Sequence, residues 1–210
     1  MSTKKVAIID YGMGNLNSVK ISLNYLGVKN DLISNPKYIK KYSHIILPGV
    51  GSFKKAIKNL RNNGMFQSLK EISNQKKCKI LGICLGMQLL FNSSTEEGTT
   101  KGLGILNGKV EKFSLKKTRG LKIPHVGFNE VFFDQKNSFF KGIKNNSDFY
   151  FDHSYRITEF EKLINPVLSI YGEKFLSGFN VDNVYGTQFH PEKSQSNGLT
   201  LLKNFINCNA

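Results

Sequence analysis

A unit of strand, glycine-containing turn and helix recurs through the first half of the chain and limits the folds that it can adopt. Apolar runs at 5–10, 44–47 and 79–83 each lead into such a turn. Behind the turns, apolar residues recur at three- and four-residue spacing, which is typical of a helix with one buried face. Strands that alternate with helices form a mainly parallel sheet covered on both faces. The carboxyl ends of its strands share one edge, where ligands bind.

The second half of the chain changes from helical spacing to short segments rich in β-formers. Turn residues separate six of these segments, at 104–113, 125–133, 149–157, 167–171, 175–181 and 184–189. We expect antiparallel strands that extend the parallel core. A final helix over about 197–206 is expected to turn four residues inward: Leu199, Leu202, Phe205 and Ile206. Since no linker or composition shift divides the chain, residues 1–210 are predicted to form a single α/β domain.

A cysteine stands between two glycines at the third strand–helix junction, in the sequence Gly82-Ile83-Cys84-Leu85-Gly86. A nucleophile on such a sharp turn is lifted above the sheet edge, and the start of the helix favours a thiolate. A lone buried cysteine is usually an apolar core residue. The flanking glycines favour the alternative, so Cys84 is the candidate nucleophile.

A histidine and a glutamate stand two residues apart in the sequence QFHPE at 188–192. In an extended segment, residues two apart face the same side, so His190 and Glu192 are expected to project together. A carboxylate fixes the tautomer of an imidazole, whose other nitrogen can then exchange a proton with a nucleophile. About a hundred residues separate His190 from Cys84, so only the fold can bring them together.

The turn Pro-Gly-Val-Gly at 48–51 follows the second buried strand. It can be an ordinary turn. Alternatively, the backbone amides of Val50 and Gly51, with the amide of Leu85, form an oxyanion hole for a tetrahedral intermediate.

Six motifs occur in an order and spacing that resemble those of the class I, triad-type glutamine amidotransferases: PGVGSF, GICLGMQ, GLGILNGKV, IPHVGFN, FYFDHSY and QFHPEKSQSNGLTLLKNF. The resemblance extends over nearly the whole chain. Within that family, DYGMGN, PHVGFN and HPEKSQ are similar to motifs of the glutaminase subunits of imidazole glycerol phosphate synthase. The resemblance implies a flavodoxin-like α/β fold. It also implies an enzyme that hydrolyses L-glutamine to glutamate and ammonia for histidine biosynthesis, with no cofactor and no metal.

The resemblance also implies roles for individual residues. Cys84 forms a γ-glutamyl thioester, His190 is its general acid and base, and Glu192 orients His190. Gln88 and Glu96 resemble residues that hold the amino-acid head group of glutamine.

A partner follows from the same resemblance. Family members of this type deliver ammonia through a channel to a (β/α)₈-barrel cyclase, which forms imidazole glycerol phosphate and AICAR. A barrel needs roughly 250 residues, so we expect a separate chain and a heterodimer. Four residues resemble parts of the partner-facing, ammonia-exit surface: Asn15, Lys193, His125 and Tyr155. For His125 and His153, a structural role is the alternative.

Two residues depart from the motifs of this subunit. Phe128 stands where tryptophan is common in PHxGWN, and Asp152 stands where valine is common before HSY. Both lie on the expected partner side. They leave open a paralogous subunit that supplies nitrogen to surface-sugar biosynthesis through a similar barrel. A catalytically idle binding subunit is a further alternative.

The net charge of the chain permits one more hypothesis about its function. Lys and Arg number 30 against 15 Asp and Glu, which gives a net charge of +15 and suggests nucleic-acid binding. Arginine suits phosphate and base recognition, but nearly all of these cations are scattered lysines, so we expect no nucleic-acid partner. Three cysteines without metal or disulfide spacing, and the lack of a long apolar run, predict a soluble cytoplasmic protein without a membrane partner.

Overall fold

The structure is a computed structural model that describes residues 4–118, 120–160 and 166–208. The two ends of the predicted domain 1–210 therefore lie outside the described residues. The strands are β1 Val6–Ile9, β2 Asn30–Ile33, β3 His44–Leu47, β4 Lys79–Ile83, β5 Ser93–Ser94, β6 Thr100–Lys101, β7 Lys109–Lys112, β8 His125–Val131, β9 Ser147–His153, β10 Tyr155–Thr158, β11 Val167–Tyr171, β12 Glu173–Val181 and β13 Val184–Thr187. The α-helices are α1 Leu16–Tyr25, α2 Phe53–Asn62, α3 Met65–Gln75, α4 Leu85–Leu89 and α5 Gln195–Asn207.

Seven strands form the central sheet in the order β11-β12-β13-β4-β3-β1-β2. The five strands from β13 to β2 are parallel to one another, and β12 and β11 extend them in antiparallel fashion. The predicted α/β fold with an antiparallel extension is confirmed. One detail was wrong, because β13 was expected among the antiparallel strands and pairs in parallel with β4. All four of its residues are buried, as in the other central strands.

The remaining strands lie beside the central sheet. β8 and β9 form a two-stranded antiparallel ribbon, and β10, β7, β5 and β6 form a second small sheet. The single segment expected over 149–157 is divided, because the chain leaves the ribbon at Ser154 and joins the second sheet as β10. The segment expected over 104–113 is extended only at Lys109–Lys112. Gly104 and Gly108, with φ of 61° and 150°, interrupt the earlier part.

Helices cover both faces of the central sheet. The side chains of consecutive residues in β3 point alternately to one face and the other. Ile45 packs in the cluster that contains the buried residues of α2 and α3, whereas Ile46 packs with those of α1 and α5. In α5 the expected burial of Leu199 was wrong. Leu201 is buried and Leu199 is half-buried. The buried face of α5 follows Gly198, Leu201 and Phe205 at three- and four-residue spacing, and Leu199 lies beside this face.

His44, at the start of β3, is 1% exposed. Burial, with the nearby charges of Lys4 and Lys79, lowers its pKa to about 4. Unfolding returns this pKa to about 6.5, so the unfolded chain binds more protons between pH 4 and 6.5. The stability that His44 contributes as a neutral group is therefore present above pH 6.5 and is lost as the pH falls towards 4.

We expect His44→Phe, which keeps the edge-on ring contact with Phe205, to flatten the decline in unfolding free energy between pH 6.5 and 4. The slope should fall by up to about 1.4 kcal/mol per pH unit, the value for one proton. Urea unfolding at several pH values measures it. Ser43→Ala, which removes only the hydroxyl beside Nδ1, should keep the wild-type slope. Equal slopes in the wild type and His44→Phe would contradict the assignment.

No helix among the described residues is long and apolar enough to cross a membrane.

Candidate active site

Cys84 occupies the turn between β4 and α4. Its φ is 53°, in the left-handed region that ordinary side chains avoid, and its side chain is buried. The flanking glycines make this turn possible. A Cβ on Gly82 would lie 2.7 Å from the backbone of Met87, and one on Gly86 would overlap the carbonyl oxygen of Leu47. Only glycine at these two positions lets α4 pack so closely against the sheet.

The neighbouring strand β13 carries the predicted base to the same point. Thr187 is paired with Ile83, and the amide of Cys84 donates to the carbonyl oxygen of Thr187 at 2.7 Å. Because β13 and β4 are parallel, the chain that follows Thr187 runs alongside Cys84. His190 is still extended, and a 3₁₀ turn over Pro191–Lys193 brings Glu192 back beneath it.

The imidazole of His190 lies between the carboxylate and the thiol. Its Nδ1 is 2.8 Å from Oε1 of Glu192. Its Nε2 is buried and has no hydrogen-bond partner of standard geometry among the described residues. The sulfur of Cys84 is nevertheless close enough to the ring to raise the pKa of His190. Burial alone disfavours the imidazolium. The charge and hydrogen-bonding capacity of Cys84, followed by those of Glu192, outweigh it and raise the pKa of His190 to about 10. This arrangement favours a protonated imidazole beside the sulfur.

A cavity of about 450 Å³ opens above Cys84. The predicted oxyanion residues Val50, Gly51 and Leu85 line it, and so do both predicted glutamine-binding residues, Gln88 and Glu96. The structure therefore brings together all five of these residues and the nucleophile.

The amides expected at the oxyanion hole are available for a ligand. Among the described residues, neither the amide of Val50 nor that of Gly51 donates a hydrogen bond to the protein. Leu85 is the first residue of α4, so its amide has no acceptor within the helix. The loop itself is anchored from below, because the hydroxyl of Tyr11 donates to the carbonyl oxygen of Pro48 at 2.8 Å.

Two carboxylates stand at the far side of the cavity. Glu96 accepts a hydrogen bond from the amide of Phe53 at 2.7 Å, and Glu97 lies next to it. Burial raises the pKa of Glu96, the hydrogen bond from Phe53 opposes this, and the charge of Glu97 adds to it. This pair of negative charges complements the α-ammonium group of an amino acid.

The predicted partner-facing residues do not lie in one environment. Asn15 is half-buried, and its side chain accepts from the amide of Ser18 at the start of α1. Lys193 is exposed, and its Nζ lies 5.2 Å from the centre of the Tyr150 ring. Tyr155 lines the cavity itself.

His125, in contrast, is only 3% exposed and stacks on Tyr171 with ring centres 4.0 Å apart. Its Nδ1 lies 3.1 Å from Nε2 of His153, whose Nδ1 lies 2.8 Å from the carbonyl oxygen of Tyr155. Burial lowers the pKa of His153 to about 3 and that of His125 to about 4, so both rings are neutral. The side chain of His125 is therefore not presented at the surface, and its contacts support the structural alternative.

Tyr11 and Gln188 had no predicted role, although they stand in the motifs DYGMGN and QFHPE. Gln188 is fully buried next to Cys84. In the part of the chain that the structure describes, no group of three or more His, Cys, Asp and Glu residues could hold a metal ion.

Comparison with known proteins identifies the family. A family model described as glutamine amidotransferase class-I matches residues 7–208. Subunit HisH 1 of imidazole glycerol phosphate synthase from Campylobacter jejuni strain RM1221 is 45% identical over 96% of this chain and 98% of its own length. Subunit HisH 2 from Methanococcus maripaludis is also 45% identical, over the same shares of the two chains. The chain belongs to the HisH subunits of the class I glutamine amidotransferases.

The resemblance seen in the motifs of this HisH chain is thereby confirmed. Solved structures support its fold. The structure titled PurLQS from Thermotoga maritima has a TM-score of 0.75 over 98% of both chains at 17% identity. A structure titled glutamine amidotransferase has a TM-score of 0.72 at 15% identity and covers 95% of this chain and 98% of its own. At these identities the likeness concerns the fold alone.

Proposed function

We propose that this HisH chain hydrolyses L-glutamine through Cys84, His190 and Glu192 and passes the ammonia to a (β/α)₈ cyclase of the histidine pathway. The observation that carries the proposal is the buried thiol beside an imidazole whose other nitrogen is held by a carboxylate. We assign this work to the cytoplasm, where free cysteines stay reduced.

The reaction begins with the attack of the thiolate on glutamine. The α-ammonium group of glutamine lies near Glu96 and Glu97, and its carboxamide carbon lies above the sulfur. The thiolate of Cys84 attacks this carbon, and the electron pair of the C=O bond moves to oxygen. Amides of the 50–51 loop and of Leu85 stabilise that oxyanion.

Collapse of this first tetrahedral intermediate forms the thioester, and hydrolysis of the thioester releases glutamate. The imidazolium of His190 gives its proton to the departing nitrogen, and the C–N bond breaks. Ammonia departs, and the γ-glutamyl group remains bound to Cys84 as a thioester. Neutral His190 then takes a proton from water, whose oxygen attacks the thioester carbon. Collapse of this second intermediate breaks the C–S bond and restores the thiolate and imidazolium. Glu192 holds the ring in one tautomer throughout.

A glutamine-like diazoketone tests the proposed chemistry. One equivalent should become attached to Cys84, as identified by mass spectrometry of the peptide, and glutamine should slow the reaction. An idle binding subunit would show no protection by glutamine. Such a result would exclude the proposed glutaminase.

The proposed partner surface is the outer face of the β8–β9 ribbon. Val126 and Phe128 expose apolar side chains there, and the ring of Phe128 packs edge-on against Tyr150. The carbonyl oxygen of Tyr150 accepts a hydrogen bond from the amide of His190, so this face adjoins the catalytic residues. Ammonia is mostly ammonium in neutral water, and a partner that covers this face would keep it in the nucleophilic form.

We expect Phe128→Glu to weaken the complex at least tenfold, because a carboxylate replaces an apolar side chain that is 50% exposed in the free subunit. Attachment of the diazoketone to Cys84 should be unchanged. Titration calorimetry with the cyclase measures the affinity. Tyr38→Glu is the matched control, since Tyr38 is an aromatic residue 49% exposed in the 3₁₀ segment Pro36–Lys41, away from the ribbon. Equal affinities for the two variants would exclude this face.

Coexpression with candidate barrels tests the pathway. A histidine-pathway cyclase loaded with its substrate should raise glutamate release from this subunit. If only a barrel of surface-sugar biosynthesis does so, the paralogous alternative is correct.

A further inference from the structure

Two glutamine side chains are packed between the cavity and the sheet, next to the catalytic sulfur. Gln188 is 0% exposed and Gln88 is nearly as buried. Nε2 of Gln88 lies 3.0 Å from the carbonyl oxygen of Tyr155 and 3.0 Å from Oε1 of Gln188. Nε2 of Gln188 lies 3.6 Å from Sγ of Cys84. A chain of hydrogen bonds therefore connects a backbone carbonyl to the nucleophile.

The orientation of both amides follows from the first link of this chain. A backbone carbonyl can only accept, so Gln88 has to present its NH₂ group to Tyr155. The second hydrogen of that NH₂ points to Gln188, which must therefore present its oxygen to Gln88. Its own NH₂ group is then left facing Cys84. Flipping the amide of Gln88 would bring its oxygen against the carbonyl oxygen of Tyr155, and flipping that of Gln188 would bring two NH₂ groups into contact.

The carbonyl that fixes this orientation is itself held firmly. His153 also directs its Nδ1 to the oxygen of Tyr155, and His125 adjoins the other nitrogen of His153. Both rings are neutral, so each has one donor and one acceptor nitrogen. With Nδ1 protonated on both rings, His153 donates to Tyr155 and accepts from His125. The paired histidines thus support the acceptor on which the two amides depend.

We propose that Gln188 is a further catalytic residue, whose side-chain N–H donates a hydrogen bond to the thiolate of Cys84. Gln88 is the positioning residue that keeps this donor aimed at the sulfur. The inference rests on the proposed function. A thiolate buried in this turn loses water as a donor, and the imidazolium of His190 supplies one replacement. Gln188 supplies a second from the adjacent strand, and hydrogen bonds to charged acceptors are the stronger kind.

This role has a consequence that a purely structural role lacks. A donor at the sulfur raises the fraction of thiolate at low pH, but it slightly reduces the nucleophilicity of each thiolate. Its loss should therefore slow attack by Cys84 at low pH and leave the rate at high pH unchanged or slightly faster. The pH midpoint belongs to the coupled pair of Cys84 and His190, so the experiment follows the midpoint rather than a single group.

The test is the rate of iodoacetamide alkylation at the Cys84 peptide between pH 5 and 10, in the full-length subunit. For Gln188→Met, which removes the donor at nearly constant volume, we expect the midpoint to rise by about one pH unit, with about tenfold slower alkylation at pH 6. Gln188→Glu keeps an acceptor for Gln88 and places a carboxylate oxygen near the sulfur. It should shift the midpoint in the same direction and further. Ser177→Ala, which alters a buried hydroxyl that does not contact the sulfur, should have no effect.

The outcomes separate this inference from the proposed function. If both Gln188 variants keep the wild-type midpoint while glutamine still protects Cys84, the inference is overturned and the glutaminase proposal stands. If glutamine does not protect Cys84 in the wild type, the proposed function fails and the inference fails with it. Two variants of different chemistry are used because the loss of a buried amide in Gln188→Met could unfold the subunit, whereas Gln188→Glu keeps the contact with Gln88.

Discussion

Replacement of Cys84 by alanine should lower partner-stimulated glutamate release by about 10⁴- to 10⁶-fold, to the level of the background reaction. The proposed mechanism is covalent, so without the sulfur there is no thioester. The oxyanion amides then have no tetrahedral intermediate to stabilise. Residues that act as a unit lose nearly all of their effect when one is removed. The measurement is glutamate release from the complex with the cyclase and its substrate.

The controls for this variant come from the same chain. Cys78 is buried beside β4 and Cys208 follows α5, and neither lines the cavity. Cys208→Ala should therefore retain wild-type glutamate release. The binding of glutamine should also persist in Cys84→Ala, since Glu96 and Gln88 remain. Release at the wild-type rate from Cys84→Ala would refute the assigned nucleophile.

Replacement of Gly86 by alanine should destabilise the fold by at least about 3 kcal/mol, although helix propensity alone favours the change by about 1 kcal/mol. Gly86 is the second residue of α4, where alanine is normally preferred. Here its Cβ would overlap the carbonyl oxygen of Leu47 in the neighbouring strand β3. The Cβ is bonded directly to the backbone of α4 and the oxygen belongs to the backbone of β3, so neither atom can move aside as the end of a flexible side chain would.

Urea unfolding measures the change in the free energy of unfolding. A loss of stability shows that the steric overlap outweighs helix propensity, and a gain shows the opposite. Gly142→Ala is the matched control. Gly142 has a φ of 78°, but a Cβ at this position would have no other atom within 4 Å, so only the cost of the left-handed conformation, about 1 kcal/mol, is expected. A Gly86→Ala variant as stable as the wild type would contradict the close approach of α4 to β3.

The sequence predicts the parallel part of the fold well because its signals are local. The runs at 44–47 and 79–83 coincide with β3 and β4, and the turns behind them stand where expected. β2 was missed because it is a short edge strand in which Asp31 and Leu32 are exposed, so it lacks a continuous apolar run. α3 was missed although Met65, Leu69 and Ile72 recur at helical spacing, a signal that could have identified it.

The candidate site is less predictable where it depends on contacts between distant segments. The motifs alone predict Cys84 and His190 as nucleophile and base, since each stands in a short pattern with its own chemical meaning. The burial of His125 depends on the register of β8 with β9, which pairs it with His153, and no spacing in the chain reveals that register. The donor role of Gln188 depends on the orientation of an amide that only the carbonyl oxygen of Tyr155 determines.

The pairing of β4 with β13 has a consequence for how this enzyme can be controlled. Neighbouring strands are about 4.8 Å apart, and this spacing is the same in every sheet. Cys84 directly follows β4, and His190 stands in the short extended segment that follows β13. A regulatory event therefore cannot move these two strands apart without disrupting the core. Regulation is therefore left to the parts of the site outside the sheet, the 48–51 loop and the ribbon. Variants that uncouple the enzyme from its partner should therefore change the outward-facing residues of the ribbon, such as Val126 and Phe128, and leave β4 and β13 untouched.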